Sequence, residues 1–366
     1  LRIGLIAHHS APIAAPFAGG LEAMTWYLSR WMARRGHEVV LFAAPGSSVP
    51  GVRTVELDLR SDVSTLARRD VSMPPERFLD AHYAYQRLMV DLAGGRHAFD
   101  VIHSHALHYL PVTLGELLPT PVVLTLHSPP TPWLESALRM TRRPPWLVAV
   151  SRATAEMWPT CDSVIPNGID LDVWPGGAGG TDLAWSGRIV PEKAPHLALD
   201  AARLAGRVLR LAGPLLDRAY FEAEIAPRLG PQAEYVGHLG HATLGALLAA
   251  SSALLQTPMW DEPFGLTAAE AMATGTPVVS FARGGVPEVL GRDGGLLVAP
   301  GDVSGLAAAA VAADRLSRAA VRAHARARFG IDHTGRAYER LYARLTGFPE
   351  DEPGAPEADG RVAVGP

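Results

Sequence analysis

Short apolar runs alternate with amphipathic segments along almost the whole chain, and the alternation breaks off and restarts once, near residue 180. A strand, a crossover helix and a parallel strand, repeated in this way, bury both faces of a sheet, so the pattern demands doubly wound α/β domains. Strands are predicted at 2–7, 38–43, 100–104, 121–126, 146–150 and 163–165, then at 183–186, 208–212, 234–236, 252–256, 277–280 and 296–298. The 366 residues, 48% of them hydrophobic, suffice for two domains of ordinary size. The expected division is a first domain over 1–165, a linker over 166–180 containing the proline- and glycine-rich Pro175 to Gly180, and a second domain over 181–330. A helix over 331–347 follows, with Tyr338, Leu341, Tyr342 and Leu345 on one face, and 348–366, rich in proline, glycine and acid, reads as a disordered tail.

The most informative stretch lies in the second half, from Trp260 to Glu270: Trp-Asp-Glu-Pro-Phe-Gly-Leu-Thr-Ala-Ala-Glu. Pro263 suits a first helical position, and Ala268, Ala269, Ala271, Met272 and Ala273 are good helix formers, so a loop is expected to turn into a helix here. The backbone N–H groups of Phe264, Gly265 and Leu266 then form a positive dipole end that suits an anion, with Gly265 allowing close approach. Glu262 stands at the mouth. If the interval is helical, Glu270 lies about 12 Å further along the axis and about 80° around it. Two carboxylates flanking an anion site fit a molecule with hydroxyls at both ends and phosphate between, as in a nucleotide diphosphate sugar. The alternative is a buried helix whose glutamates are solvated or cap N–H groups.

Other candidates sit where strands end. Ser186-Gly-Arg-Ile-Val-Pro-Glu-Lys193 is a turn running into a helix, and Lys193 is the only lysine among 33 basic residues. Arg188 offers a planar donor fork and Lys193 a compact ammonium, a pair able to clamp a pyrophosphate; a surface ion pair of Lys193 with a nearby carboxylate is the alternative. Gly19 and Gly20 open an amphipathic helix bearing Met24, Leu28, Trp31 and Met32, and either admit a ligand phosphate or sugar or make a tight turn. His105 and His127 follow predicted strands at their carboxyl ends, where open α/β sheets bind ligands, whereas His103, inside its strand, reads as a core histidine. Asp170-x-Asp172 has no further acidic residues beside it, so no metal site is expected.

A formal charge of −4, with 33 basic and 37 acidic residues interspersed, offers no basic face for nucleic acid. Cys161 is the only cysteine, which excludes an intrachain disulfide and a cysteine-based metal cluster. The opening strand lacks the longer apolar region and cleavage site of a secretory signal, and no apolar run reaches membrane-spanning length. A cytoplasmic protein is expected, with peripheral membrane contact left open.

Glu262-Pro-Phe-Gly-Leu-x3-Glu270, Gly187-Arg188-x4-Lys193, the Gly19-Gly20 loop, Ile165-Pro-Asn-Gly-Ile-Asp170 and Val298-x-Pro300-Gly-Asp302 occur together. In that combination the chain resembles the family 4 retaining glycosyltransferases of the GT-B fold over about residues 1 to 346. The resemblance implies two Rossmann-like domains facing a cleft, with donor held mainly by the second, acceptor mainly by the first, and the terminal helix crossing back onto the first. It implies that Arg188 and Lys193, with Gly20, Leu266 and Thr267, hold the diphosphate, and that Glu270 takes the ribose. Glu262, Phe264, Gly265 and His127 would meet the transferred sugar, Glu262 and His127 acting at the reacting centre. Backbone at Val236, Gly237 and Leu239 would meet the base, and His9, Gly19 and His105 lie in the acceptor region. No metal and no cofactor is implied beyond the nucleotide sugar itself, with UDP-glucose favoured as donor. The acceptor it implies is a small molecule, a glycan or a lipid-linked acceptor, not identified by the motifs. Retention without a carboxylate nucleophile implies front-face substitution. One departure stands out: where the family often has glycine after the lysine, this chain has Ala194 and Pro195. A sugar-nucleotide epimerase, a phosphorylase and a non-catalytic sugar-nucleotide-binding paralogue are the competing readings.

Overall fold

The computed structural model describes residues 1–95 and 97–349, so the tail expected from 348 onward lies, beyond Pro349, outside the described residues. Seven parallel strands form the first sheet: β1 (Arg2–Ile6), β2 (Glu38–Ala43), β3 (Arg53–Glu56), β4 (Val101–Ser104), β5 (Val122–Leu126), β6 (Trp146–Ala149) and β7 (Ser163–Val164). Their order is β3-β2-β1-β4-β5-β6-β7. Six parallel strands form the second: β8 (Leu183–Ser186), β9 (Leu209–Ala212), β10 (Ala233–Tyr235), β11 (Ala253–Gln256), β12 (Val278–Phe281) and β13 (Gly295–Val298). Their order is β10-β9-β8-β11-β12-β13. These are two Rossmann-like sheets. In each the order reverses once, between β1 and β4 and between β8 and β11, and such switch points open a crevice at the strands' carboxyl ends.

Apolar runs placed every strand but one. β3 pairs with β2 from Val40↔Arg53 to Ala43↔Glu56, yet its four residues Arg-Thr-Val-Glu carry charges at both ends and only half-buried positions between. An edge strand this short leaves too little alternation to read. Helix Gly20–Arg34 buries Met24, Leu28, Trp31 and Met32 as its periodicity requires.

The final helix, Ile331–Thr346, packs against the first domain. It follows a short bridge in which Ile169 N–H donates to Phe329 O (2.7 Å) and Ile331 N–H to Ile169 O (2.9 Å). Trp31 Nε1 donates to Asp332 Oδ1 at 2.7 Å, and the Trp31 ring lies so close to Gly335 that any side chain there would collide with it. Further along, the buried His103 ring is satisfied at both nitrogens, Nδ1 to Tyr342 OH (2.6 Å) and Nε2 to Thr125 Oγ1 (2.7 Å), and Thr125 also meets Tyr338 OH at 2.7 Å. Burial holds His103 neutral, well below the usual histidine range. It is a core histidine, and the tyrosines that satisfy it come from the far end of the chain. Asp170 is likewise engaged structurally, accepting from Asp172 N–H (3.2 Å) and from Arg30 (3.2 Å).

This network makes a prediction. Tyr342→Phe removes the Nδ1 partner of a fully buried imidazole, so it should cost about 1–3 kcal/mol in chemical denaturation. A loss under 0.5 kcal/mol, taken as about the scatter of neutral surface changes, would show that the tyrosine hydroxyls do not hold this helix.

Candidate active site

The carboxyl ends of the two sheets face each other across a cleft enclosing about 1010 Å³ of space not filled by atoms, part of it open to solvent. Gly19 and Gly20 line it from the first domain, and Gly187, Arg188, Lys193, Glu262, Leu266, Thr267 and Glu270 from the second. The starts of two helices meet here, Gly20–Arg34 and Leu266–Ala273. They approach so closely that a Cβ on Gly20 would stand 3.3 Å from Leu266 Cβ. Two positive dipole ends therefore share one cavity, an arrangement suited to a polyanion.

The second of these helices starts later than its sequence indicates. Pro263 is not its first residue: Gly265, with φ of 89°, is the cap, and Leu266 is the first helical position. The reason lies in the other domain. Ser151 Oγ (2.6 Å) and Thr154 Oγ1 (3.0 Å) both donate to the Pro263 carbonyl, which is therefore engaged outside the helix. Phe264 is consequently buried at 3% exposure against Phe329, and the interval from Glu262 to Glu270 is helical only from Leu266 onward, so the expected 12 Å and 80° relation does not apply. Both carboxylates nevertheless line the same cavity. The Glu262 loop is held from behind by Gly285 N–H, which donates to Glu262 O at 2.6 Å, and by Gly284, with φ of 57°, where a side chain would collide with the Glu262 backbone.

Lys193 and Glu262 form an ion pair with each other, at 19% and 16% side-chain exposure. Trp260 Nε1 donates to the same Glu262 oxygen at 3.0 Å, and its ring lies 5.0 Å from Lys193 Nζ. Lys193 ends a short 3₁₀ turn, Pro191–Lys193, and Ala194 follows in the left-handed region (φ 43°, ψ 51°) before helix Pro195–Leu204. This is the conformation a glycine adopts without strain, and alanine bears about 1 kcal/mol there. Arg188 leans on Glu192 at 3.5 Å. Glu270, 5% exposed, is pushed up to about 8 by burial.

Sequence reading missed several contributors. Gln256 at the end of β11 donates through Nε2 to Thr267 Oγ1 (2.5 Å), while its buried Oε1 has no partner among the described residues. Thr257 Oγ1 donates to Lys193 O at 2.9 Å, and the buried Glu22, its pKa raised by burial, faces the field of Arg188. A polar residue closing the apolar strand Ala-Leu-Leu-Gln was the available signal. Other anticipated residues lie elsewhere. Leu239 lines the cleft together with His238, but Val236, Gly237, Phe264 and Gly265 are not on its wall. His9, His105 and His127 gather within the first domain, where His105 Nδ1 and His127 Nε2 are 2.9 Å apart. Burial keeps this pair neutral, His127 down to about 3.

Two Rossmann-like domains that present opposed strand ends, helix starts and a lysine–glutamate pair to one cleft define a glycosyltransferase of the GT-B fold. Residues 18–173 match the model for Glycosyltransferase Family 4, and residues 179–327 that for Glycosyl transferases group 1. The D-inositol 3-phosphate glycosyltransferase of Mycobacterium avium is 32% identical, the match covering 94% of each chain. The glycogen synthase of Mycobacterium tuberculosis is 29% identical over 83% of each. Among solved structures, sucrose-phosphate synthase from Thermosynechococcus elongatus superposes with a TM-score of 0.76 at 21% identity, over 94% of this chain and 99% of that one. Anabaena HepE in complex with UDP and glucose gives 0.73 at 18%, over 93% and 99%. The chain belongs to glycosyltransferase family 4.

The buried Glu270 carboxyl sets a pH dependence. Its folded pKa of about 8 exceeds the ordinary 4.5, so between these values the folded state holds a proton that the unfolded state has lost. Stability of the ligand-free protein should therefore fall as pH rises through that window. Glu270→Gln should flatten the decline and raise Tm above wild type at pH 9, by roughly 2–4 °C per kcal/mol relieved. Parallel Tm–pH curves for the two proteins would show that Glu270 does not titrate in this way.

Proposed function

We propose that this glycosyltransferase moves a hexose from a nucleotide diphosphate sugar, a UDP-sugar such as UDP-glucose, to an acceptor hydroxyl with retention of configuration and without a metal ion. The observation that carries this reading is the chain's only lysine, paired with Glu262 between two opposed helix starts. A diphosphate entering the cleft competes for the Lys193 ammonium and meets Arg188 and the first-turn backbone at Gly20, Leu266 and Thr267. Its arrival releases Glu262 from Lys193, leaving the carboxylate free for the sugar hydroxyls. Glu270 takes the ribose diol, and the stretch ending at Leu239 takes the base. UDP is favoured because a structural neighbour, HepE, is described in complex with UDP and with UDP-glucose.

In the transfer, the acceptor oxygen forms a bond to the anomeric carbon on the face from which the diphosphate departs. The bond from that carbon to the phosphate oxygen breaks, and the acceptor proton passes to the departing phosphate. Positive side chains and helix dipoles stabilise the charge that grows on the leaving group, the part a metal ion plays elsewhere. Glu262 faces the positive charge that builds on the sugar ring.

Lys193→Ala and Arg188→Ala should each weaken UDP binding about tenfold or more, the worth of one charge-assisted contact, and leave uridine binding nearly unchanged in calorimetry. Equal losses for both ligands would refute the phosphate role. Proton NMR of the first-formed product should show the donor's anomeric configuration, with turnover surviving EDTA. An inverted product, or activity lost to chelator and restored by magnesium, would overturn the mechanism.

A further inference from the structure

The acceptor side of the cleft has a chemistry of its own. Segments 7–19, 105–109 and 127–131 follow β1, β4 and β5 at the end of the sheet from which Gly19 and Gly20 reach the donor cavity. Together they contain five histidines and no aspartate, glutamate, lysine or arginine. Their imidazoles are neutral, because burial lowers His8 to about 3, His108 to about 4 and His127 to about 3. Three buried nitrogens, His9 Nδ1, His105 Nε2 and His108 Nε2, have no hydrogen-bond partner among the described residues, and His108 is only 7% exposed.

From these histidines a run of rings leads outward. His8 and His9 lie 4.5 Å apart, His9 and His108 6.5 Å, and His108 stacks on Tyr109 at 4.7 Å. Tyr109 stacks on Trp133 at 5.6 Å and 26°, and Phe78 flanks Trp133 at 5.6 Å. Trp133 is 60% exposed, so the stack ends on a ring open to solvent. Charges on the flanking helices are mostly engaged: Glu76 with Arg68, Glu135 with Arg139, and Asp80 with Ser61 N–H. Arg77 is exposed on the first turn of helix Glu76–Ala93.

Resting on the glycosyltransferase reading above, we propose that the acceptor is an uncharged saccharide, its hydroxyls on the His9 and His108 imidazoles and its apolar face on the Tyr109–Trp133 stack. His108 Nδ1 accepts from Leu110 N–H, which leaves Nε2 to donate to a hydroxyl oxygen, and aromatic faces match the C–H side of a sugar ring. A phosphorylated acceptor would be stripped of water here without a fixed cation to receive it, which is unfavourable. The inference separates this chain from the relative whose name specifies D-inositol 3-phosphate.

Saturation-transfer NMR on the full chain with UDP present tests it without needing turnover. Methyl glucoside should show transfer at least tenfold stronger than glucose 6-phosphate, and Trp133→Ala should abolish it while UDP affinity by calorimetry stays within twofold. Octyl glucoside separates the sources: stronger transfer to its ring than to methyl glucoside points to a lipid-borne sugar, and equal transfer to a free one, either result supporting the saccharide site. Preference for glucose 6-phosphate, particularly if Arg77→Ala removes it, would overturn the proposal, as would unchanged methyl glucoside binding in Trp133→Ala or no binding of any glucoside. Failure of the donor reading shows separately, as no rise in Tm with UDP-glucose or other nucleotide sugars while glucoside binding persists.

Discussion

Two hydroxyl groups of the first domain, Ser151 and Thr154, donate to one carbonyl of the second, that of Pro263. This contact sets where helix Leu266–Ala273 begins, because a carbonyl whose two lone pairs already accept from two hydroxyls has none left for a helical N–H. It thereby places Leu266 against Gly20, buries Phe264, and leaves Glu262 on a loop at the mouth of the cleft. Around it an apolar cluster runs through both domains, with Ala23, Tyr27 and Val150 packed with Phe264, Leu266 and Val286. Arg152 N–H, donating to Glu288 Oε2 at 2.8 Å, adds a second polar tie. Domain contact and site geometry are therefore one feature, and a change in how the domains meet would move the helix start as well as the cavity.

Charge is distributed unevenly between the two walls. The second domain supplies Arg188, Lys193, Glu262 and Glu270, whereas the loops at the strand ends of the first hold neutral rings. A half-buried pair such as Lys193–Glu262 is poor evidence for stability, since desolvation offsets much of its attraction. Under the proposed donor binding, each partner would stand beside the other's ligand. Trp260 supports both, donating to the carboxylate and presenting its ring to the ammonium, and so preserves the geometry while the pair is intact. Glu270 differs in kind: burial alone pushes its carboxyl up to about 8.

How far the chain declared itself can be judged residue by residue. Apolar runs placed twelve of the thirteen strands, and the spacing of Met24, Leu28, Trp31 and Met32 gave the buried face of the first helix. Such elements are legible because burial on a sheet or helix face imposes a local period. The solitary Lys193 and the Glu262 and Glu270 carboxylates also stood out, as residue types a surface would not require at those points. Gln256, Trp260 and the Gly284–Gly285 pair did not, because their roles consist of contacts with residues adjacent only after folding.

By itself the sequence determined two doubly wound domains and the residue types at their strand ends, because strand and helix periods are written over a few consecutive positions. Only the tertiary structure decided that Pro263 lies outside its helix, that Lys193 pairs with Glu262 across 69 residues, and that Tyr342 satisfies His103 across 239. Each of these depends on a polar group finding its partner from another element. No local pattern records that choice, since the free energy that makes it comes from burying both groups together.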